Sequence, residues 1–450
     1  MTAATTGLIN RAARAVRWRF AGSVFGAISR FAVGVLLARL LTPADFGLMT
    51  LTSVVMGFTR LVGDLGIGSA VVQRAGLSDR HVRTAFTFSV LFGVVQTVAM
   101  IVVAPLGALV VRDPRVTPLL RGLAGTFAIG GTSVAAGALL RRQLDFKRRF
   151  FIDTASFVLG YGGVATALAL TGHGVWSLVW GSLAETLFSS GAQLAVVRHS
   201  MRPSLGRREL SELFHFGFGS TLITCTNYLA RNGDNFVVGR WMGAASLGFY
   251  SRAYNLMSLP HTYAASVMSS VLFPVFAQEQ GNQARVRRGY LLLTELTAMV
   301  AGPAMATLAI VAPYLVLSVY GPRWAGVVVP LQMLCLVGYF RALYHVSGIL
   351  AQSVGRIYGE LRNQLVYAFL VIGGAWIGSR YGLAGVAAGV DCAICYMFIA
   401  SAQLALSATG TSFRAYLRVQ VGALVTTAAT CIVIVSTRFL LEAGGGSNAA

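Results

Sequence analysis

The sequence predicts an all-α integral membrane protein, and three observations lead there. Of its 450 residues, 56% are hydrophobic and only 11% charged, whereas a soluble domain has roughly a quarter of its residues charged. The apolar residues gather in runs of about 20, the length that crosses ~30 Å of hydrocarbon. Arginine-rich segments separate every second run, the pattern that fixes orientation in a bilayer.

Thirteen runs have spanning length, at 18–40, 46–67, 84–111, 117–140, 151–171, 174–197, 213–239, 252–277, 290–312, 325–352, 361–378, 383–406 and 417–437. Ahead of the first, "TGLINRAARAVRWR" at 6–19 sets Arg11, Arg14 and Arg17 three apart with Trp18 at the water boundary. It suits a short interfacial helix and equally a basic tail that orients the chain. No small-residue cleavage site follows, so the first run is expected to remain as a helix.

Cations return after run 2 (Arg74, Arg80, Arg83), run 4 (Arg141, Arg142, Lys147, Arg148, Arg149) and run 6 (Arg198, Arg202, Arg207, Arg208). They return again after run 8 (Arg285, Arg287, Arg288), run 10 (Arg356, Arg362) and run 12 (Arg414, Arg418). The alternate links carry few, and "TGHG" between runs 5 and 6 carries none. These segments and the N-terminus are therefore expected in the cytoplasm. The net charge of +21 is then mostly a topology signal facing anionic lipid, and no nucleic-acid partner is needed to explain it. All five cysteines fall inside apolar runs, where a thiol packs as a small hydrophobe. Cys392 and Cys395 spell C-x-x-C, but without a βαβ context or a nearby histidine they read as packing residues too.

The chain repeats itself. "ARLLTPADFGL" at 38–48 and "GRWMGAASLGF" at 239–249 each place an arginine after a small residue and a glycine eight positions later, Arg39 with Gly47 and Arg240 with Gly248. Each copy follows a Gly-Ser pair at its helix start, Gly22-Ser23 and Gly219-Ser220. Six runs separate the copies, so both have the same orientation, as parallel repeats about an axis along the membrane normal require. The expected organisation is a basic segment 1–17, a first lobe of six spans at 18–197, a cytoplasmic linker at 198–212, a second six-span lobe at 213–406, and a thirteenth span with its tail at 407–450.

Five stretches carry a family likeness: "LLARLLTPADFGLM" (36–49), "DLGIGSAVVQ" (64–73), "GHGVWSLV" (172–179), "DNFVVGRWMGAASLGFYSRAYNL" (234–256) and "LFPVFAQEQ" (272–280). Together they resemble the bacterial oligosaccharide and polysaccharide exporters of the Wzx type, in the multidrug/oligosaccharidyl-lipid/polysaccharide superfamily. The resemblance implies two six-helix lobes around a central V-shaped cavity. It also implies translocation of undecaprenyl-diphosphate-linked oligosaccharide repeat units to the periplasmic leaflet of the inner membrane by alternating access. It further implies fourteen spans with both ends inside. Thirteen are visible, so either a last helix lies outside this sequence or the C-terminus is periplasmic.

Ionisable residues at membrane depth are costly unless they face water or a bundle interior, so they mark candidate functional positions. In "NYLARNGDNFVVGRWMG" at 227–243, Asn227, Arg231, Asp234 and Asn235 share about one third of a helix circumference. Arg60 and Asp64 stand four apart in run 2, Arg30 lies mid-way along run 1, and Arg341 lies in run 10. The cargo-binding residues expected from this pattern are Arg30, Arg60, Arg231, Arg341, Asn227 and Asn235, facing water around a shared cavity, because a planar guanidinium matches the oxygens of a diphosphate. Arg231 with Asp234, and Arg60 with Asp64, fit a second reading as structural ion pairs that lock a helix. Arg39 and Arg240 sit near the outer interface, where snorkelling to headgroups is sufficient. Asp64, Asp234 and Asp391 are candidates for ion coupling, and Glu185 and Glu295 are the remaining acids deep in runs. No two histidines show metal-ligand spacing, and neither a metal nor another cofactor is expected.

Three classes of function compete. A flippase for lipid-linked oligosaccharide fits the cationic excess at depth. A multidrug or cation antiporter of the same superfamily would favour an acidic site. A membrane enzyme of glycan assembly would show a large outer loop with catalytic groups, and the outer links here are short. The leading reading implies lipid-linked oligosaccharide and membrane lipids as partners, with a polysaccharide polymerase and a chain-length regulator beside them.

Overall fold

A computed structural model describes residues 22, 24–64, 67–74, 76–198, 200–278 and 282–445. The basic N-terminal segment and Ser23 lie outside the described residues, as do the side chains of Asp64 and Ser220. Among the described residues the elements are helices and turns, with no strand. A helix lies over each of the thirteen expected spans. The chain divides into two compact units, Met1–Gly248 and Phe249–Ala450.

In the first unit, α1 (24–40) runs to a break at Leu41 and Thr42, and α2 follows at Pro43–Asp64. The local sequence dictates that restart. Thr42 Oγ1 accepts from the Asp45 N–H at 3.3 Å, and Asp45 Oδ2 accepts from the Thr42 N–H at 2.9 Å. This is a reciprocal capping box with Pro43 at the first helical position, where its missing N–H costs nothing.

A short helix that the run pattern did not predict, α3 (Ile67–Gln73), buries Ile67, Ala70 and Val71 against Ala85 and Ala138. Its end is held from afar: Arg142 Nη1 donates to the carbonyls of Val71, Val72 and Arg74 at 3.1, 3.2 and 2.6 Å. A cation on the last carbonyls of a helix also complements its dipole.

α4 (Asp79–Val111) presents Val95, Val98, Val102, Leu106 and Leu109 outward, as a lipid-facing helix should. α5 (Val116–Gly131) and α6 (Val134–Arg142) together form the fourth span, bent by 51°. α7 (Phe146–Leu170) starts at Asp145, whose carboxylate accepts from the Arg148 N–H, and widens into a π-helical stretch over Ser156–Val164. α8 (Val175–Val196) lies over the sixth expected span.

The continuous helical stretch Arg207–Gln278 is broken at Gly243, which has φ 86° and ψ 173°. The halves are α9 (207–242) and α10 (244–278). This break corresponds to the one at Thr42 in the register that aligns Arg39 with Arg240, and the repeat read from sequence is thus also a repeat of structure. The two turns touch reciprocally. A Cβ on Gly47 would lie 1.7 Å from the Ala244 carbonyl oxygen, and one on Gly248 would lie 1.9 Å from the Pro43 oxygen. Pro43 aligns with Ala244 and Gly47 with Gly248, so each residue of one turn meets its counterpart's neighbour, as a local two-fold demands.

The second unit contains the rest of α10, α11 (Gln283–Tyr320), α12 (Val328–Ser353), α13 (Ile357–Gly378), α14 (Gly382–Thr409) and α15 (Phe413–Gly445). Its core joins Phe276, Tyr290, Val346, Leu350, Ala405 and Tyr416 from α10, α11, α12, α14 and α15. Lipid gives helices little hydrophobic reason to associate, so close approach through small residues takes over. In α13 and α14, Gly374 meets Gly389 and Gly378 meets Gly385, each pair backbone to backbone.

Candidate functional site

The first unit contains an open cavity of about 630 Å³ lined by α2 to α8, and the described residues lining it belong to that unit. Its walls differ in character. α4 contributes Phe88 and Phe92, whose rings stack with centroids 5.5 Å apart at an interplanar angle of 14°. α8 contributes Ser182, Glu185, Thr186, Ser189, Ser190 and Gln193. These are spaced three or four apart and so form one polar face on an otherwise apolar helix. Arg60 enters from α2, Arg141 from α6, and Arg149 with Asp153 from α7. Arg149 and Asp153 are paired at 3.3 Å.

Several wall hydroxyls spend their single proton on their own helix. Thr126 donates to the Leu123 carbonyl at 2.7 Å, Ser133 to Gly130 at 3.0 Å, Ser182 to Leu178 at 2.9 Å and Thr186 to Ser182 at 2.8 Å. Ser190 Oγ lies 3.0 Å from Ser133 Oγ, a hydrogen bond between the two hydroxyls. Gln193 Nε2 donates to Ser189 Oγ and Gln96 Nε2 to the Thr59 carbonyl, each at 3.0 Å. The hydroxyls of Thr126, Ser133, Ser182 and Thr186 therefore offer the cavity acceptor lone pairs, and the donors in its lining are the arginines and the spare amide protons of Gln96 and Gln193.

Glu185 is the electrostatic centre of this region. Arg30, Asp153 and Arg60 all act on its carboxyl. The π-helical stretch brings α7 close to it: a Cβ on Gly160 would stand 2.7 Å from the Glu185 backbone nitrogen and Cα. Such π segments concentrate at functional positions in helices. Arg30 itself is exposed and lies over the Phe157 ring of the same stretch at 5.3 Å, outside the cavity lining.

Of the residues expected from sequence, the cavity gathers Arg60, with Arg30 beside it. Arg231 is exposed on α9 and Asn227 is half-buried. Asp234 and Asn235 are buried, and Asp234 Oδ1 accepts from the Asn235 N–H at 2.8 Å. The polar stripe of α9 is therefore divided between two environments. Next to it, Tyr228 reaches α2 and donates to the Val54 carbonyl at 3.0 Å. Arg240, expected to snorkel, donates instead to the Val110 carbonyl at the end of α4 and lies over the Trp241 ring.

In the second unit, Arg341 was expected to face water, and the structure corrects this: it is 6% exposed. Its Nη1 donates to the Tyr254 hydroxyl at 2.5 Å and its guanidinium lies 4.7 Å from that ring. Tyr344 and Tyr367 act on it as well. Asp391 on α14 is buried, with Oδ1 lacking a hydrogen-bond partner among the described residues, and it lies near Cys335 and Cys395. Among the described residues no group of three His, Cys, Asp or Glu could hold a metal ion. The α8 face is the feature sequence reading missed. Its signal was there, as polar residues in "SLAETLFSSGAQ" at helical spacing, but only Glu185 is charged.

Comparison with known proteins adds one family, two relatives and two solved structures. The family described as "Polysaccharide biosynthesis protein" matches residues 36–329. The lipopolysaccharide biosynthesis protein WzxC of Escherichia coli K12 is 27% identical over 78% of this chain and 72% of its own length. The teichuronic acid biosynthesis protein TuaB of Bacillus subtilis 168 is 27% identical over 73% of this chain and 69% of its own. Among solved structures, the lipid II flippase MurJ in an inward closed conformation matches with a TM-score of 0.73, at 14% identity over 91% of both chains. An inward-facing multidrug resistance transporter of the MATE family matches with a TM-score of 0.66, at 19% identity over 85% of this chain and 95% of that one. The chain has the fold of that transporter superfamily.

Proposed function

Since the chain belongs to the polysaccharide biosynthesis protein family, we propose that it is a flippase. It carries undecaprenyl-diphosphate-linked oligosaccharide repeat units across the bacterial cytoplasmic membrane by alternating access, for exopolysaccharide, capsule or O-antigen synthesis. The observation that carries this reading is a polar cavity with three arginines and two carboxylates inside an apolar bundle, a feature a membrane protein keeps for a polar passenger. The names of WzxC and TuaB, both proteins of envelope polysaccharide synthesis, support the same cargo class.

In this reading the diphosphate engages Arg30, Arg60 and Arg231, which are exposed, and half-buried Asn227 flanks it, while Asn235, which is buried, stands away from it. Arg341 supports the second unit from within. Asp64, Asp234 and Asp391 are the acids proposed for ion coupling. The two repeats act as lobes, 18–197 and 213–406, joined by a cytoplasmic linker at 198–212. The N-terminus is cytoplasmic, a polymerase and a chain-length regulator use the product, and the protein moves its cargo without transforming it.

The test is complementation in the native host after deletion of the gene, with polysaccharide export and membrane protein level measured together. Arg60→Ala, Arg30→Ala and Arg231→Ala are expected to abolish export at normal protein level. Lysine at each site restores part of it, because charge is kept and the bidentate fork is lost. A deletion strain that exports normally and accumulates no lipid-linked oligosaccharide on the inner leaflet overturns the reading.

A further inference from the structure

We propose that the hydroxyl wall of the cavity inside the first unit is a sugar subsite, which seats glycosyl rings of the cargo and leaves the diphosphate to the arginines. This rests on the flippase reading and adds to it where in the fold, and by what chemistry, the cargo's carbohydrate is held.

Hydrogen-bond inventory separates the two parts of the cargo. A diphosphate at neutral pH only accepts. The wall made by Thr126, Ser133, Ser182 and Thr186 also only accepts, because each hydroxyl proton is already given to a helix carbonyl. Phosphate oxygens against that wall would set lone pair against lone pair. A sugar ring carries a hydroxyl on most carbons, and each can donate to these oxygens while accepting from the spare amide protons of Gln96 and Gln193.

Shape makes the same distinction. A pyranose has apolar C–H faces and a polar rim, and the cavity has a stacked Phe88–Phe92 pair on α4 and the polar face of α8. Its 630 Å³ falls within the roughly 300–1,000 Å³ typical of small-molecule sites, which combine an apolar surface with a few placed polar groups. A site for a bare proton or metal ion would need neither the aromatic wall nor this volume.

Gly130 offers a way to close the cavity without breaking the bundle. It lies on α5 in the lining, and a Cβ there meets nothing nearer than the Thr186 methyl at 4.0 Å. Gly130→Leu therefore fills cavity space from a position that tolerates a side chain. Phe92→Leu removes part of the aromatic wall and keeps an apolar side chain. Gly191→Leu on α8 is the control, since Gly191 is exposed, outside the lining and open to 4 Å around.

The experiment uses the full chain in lipid nanodiscs with two probes: the repeat-unit oligosaccharide released from the host's own polysaccharide by partial hydrolysis, and undecaprenyl diphosphate without sugar. Wild type and Gly191→Leu are expected to bind both. Gly130→Leu should lose the oligosaccharide and keep undecaprenyl diphosphate, and Phe92→Leu should weaken oligosaccharide binding up to about tenfold, the scale of one aromatic contact. Oligosaccharide affinity unchanged in both cavity variants, with undecaprenyl diphosphate still bound, overturns the subsite alone. A wild-type chain that binds neither probe overturns the flippase reading and the subsite with it.

Discussion

Replacing Gly47 or Gly248 with alanine tests whether the repeat is held together by backbone contact. A Cβ on Gly47 would stand 1.7 Å from the Ala244 oxygen, and one on Gly248 1.9 Å from the Pro43 oxygen, where ordinary contact begins near 3.4 Å. The obstructing atoms are main-chain carbonyls, which cannot rotate aside as a side chain can. The two turns must therefore part by more than an ångström. Overpacking of this kind costs about 1–3 kcal/mol, set against about 0.5–1 kcal/mol that alanine ordinarily contributes over glycine in a helix.

Each single variant should thus lose roughly 1 kcal/mol net, and no more than about 2.5. The double variant should lose less than the sum, because one separation relieves both clashes. Gly191→Ala, with open space around its position, should gain slightly instead. The assay is the fraction of purified protein surviving as a monodisperse peak after heating. Midpoints at or above wild type for Gly47→Ala and Gly248→Ala, or fully additive losses in the double variant, would refute the reciprocal contact.

Three further outcomes are expected. Arg341→Ala should lower the amount of folded protein in the membrane, by about 3 kcal/mol if the tyrosine cluster around it is emptied, with Arg341→Lys intermediate; wild-type abundance and melting in Arg341→Ala would contradict its supporting role. At the turn between α4 and α5, the hydrogen bond from Arg115 holds the Asp113 carboxyl below its ordinary value of 3.8, so the pair stabilises above that pH and its contribution is lost as pH falls through the lower folded value. Asp113→Asn should lower the midpoint at pH 7 by less than about 1 kcal/mol, since Arg115 is 61% exposed, and the gap to wild type should shrink below pH 3.8; a constant gap would remove the carboxylate from the account. Finally, Lys147→Cys in a cysteine-free chain should be labelled only by reagents that cross the membrane, and labelling from the periplasm would reverse the proposed orientation.

How legible was this protein in its sequence? The helices were legible because hydrocarbon imposes a length and a composition that no packing detail overrides, and six of the described helical stretches, or seven with the bent α5–α6 pair, are long and apolar enough to cross a membrane. The restart of α2 at Pro43 went unread, since the run pattern begins at 46, although Thr42, Pro43 and Asp45 carry its capping chemistry within four residues. What else escaped depends on partners far along the chain. α3 ends where Arg142, about 70 residues later, holds its carbonyls. The 51° bend between α5 and α6 and the π-helical stretch of α7 have no single-residue signature in the pattern. The candidate site shows the same division. Charge at depth drew attention to Arg60, which does line the cavity, but also to Arg341, whose tyrosine neighbours come from α10, α12 and α13. The uncharged face of α8 drew none, because serine and threonine are ordinary in membrane helices and become a wall only once α4 and α6 stand opposite.

That wall bears on how a transporter can hold cargo and still release it. A cavity in the bilayer lined with unpaired donors would be costly when empty, since each unsatisfied polar group loses several kcal/mol in hydrocarbon. Here Thr126, Ser133, Ser182 and Thr186 are already satisfied by their own helices, so vacating the cavity strands no donor among them. The same arrangement limits affinity, because a passenger adds bonds to oxygens that did not depend on it, and the net worth of each such bond is only about 0.5–1.5 kcal/mol. Many weak contacts of this type suit a polyhydroxylated passenger that must be taken up on one side and given up on the other. The strong, charge-assisted contacts are left to a few arginines, whose number and spacing can then discriminate the diphosphate without trapping the sugar.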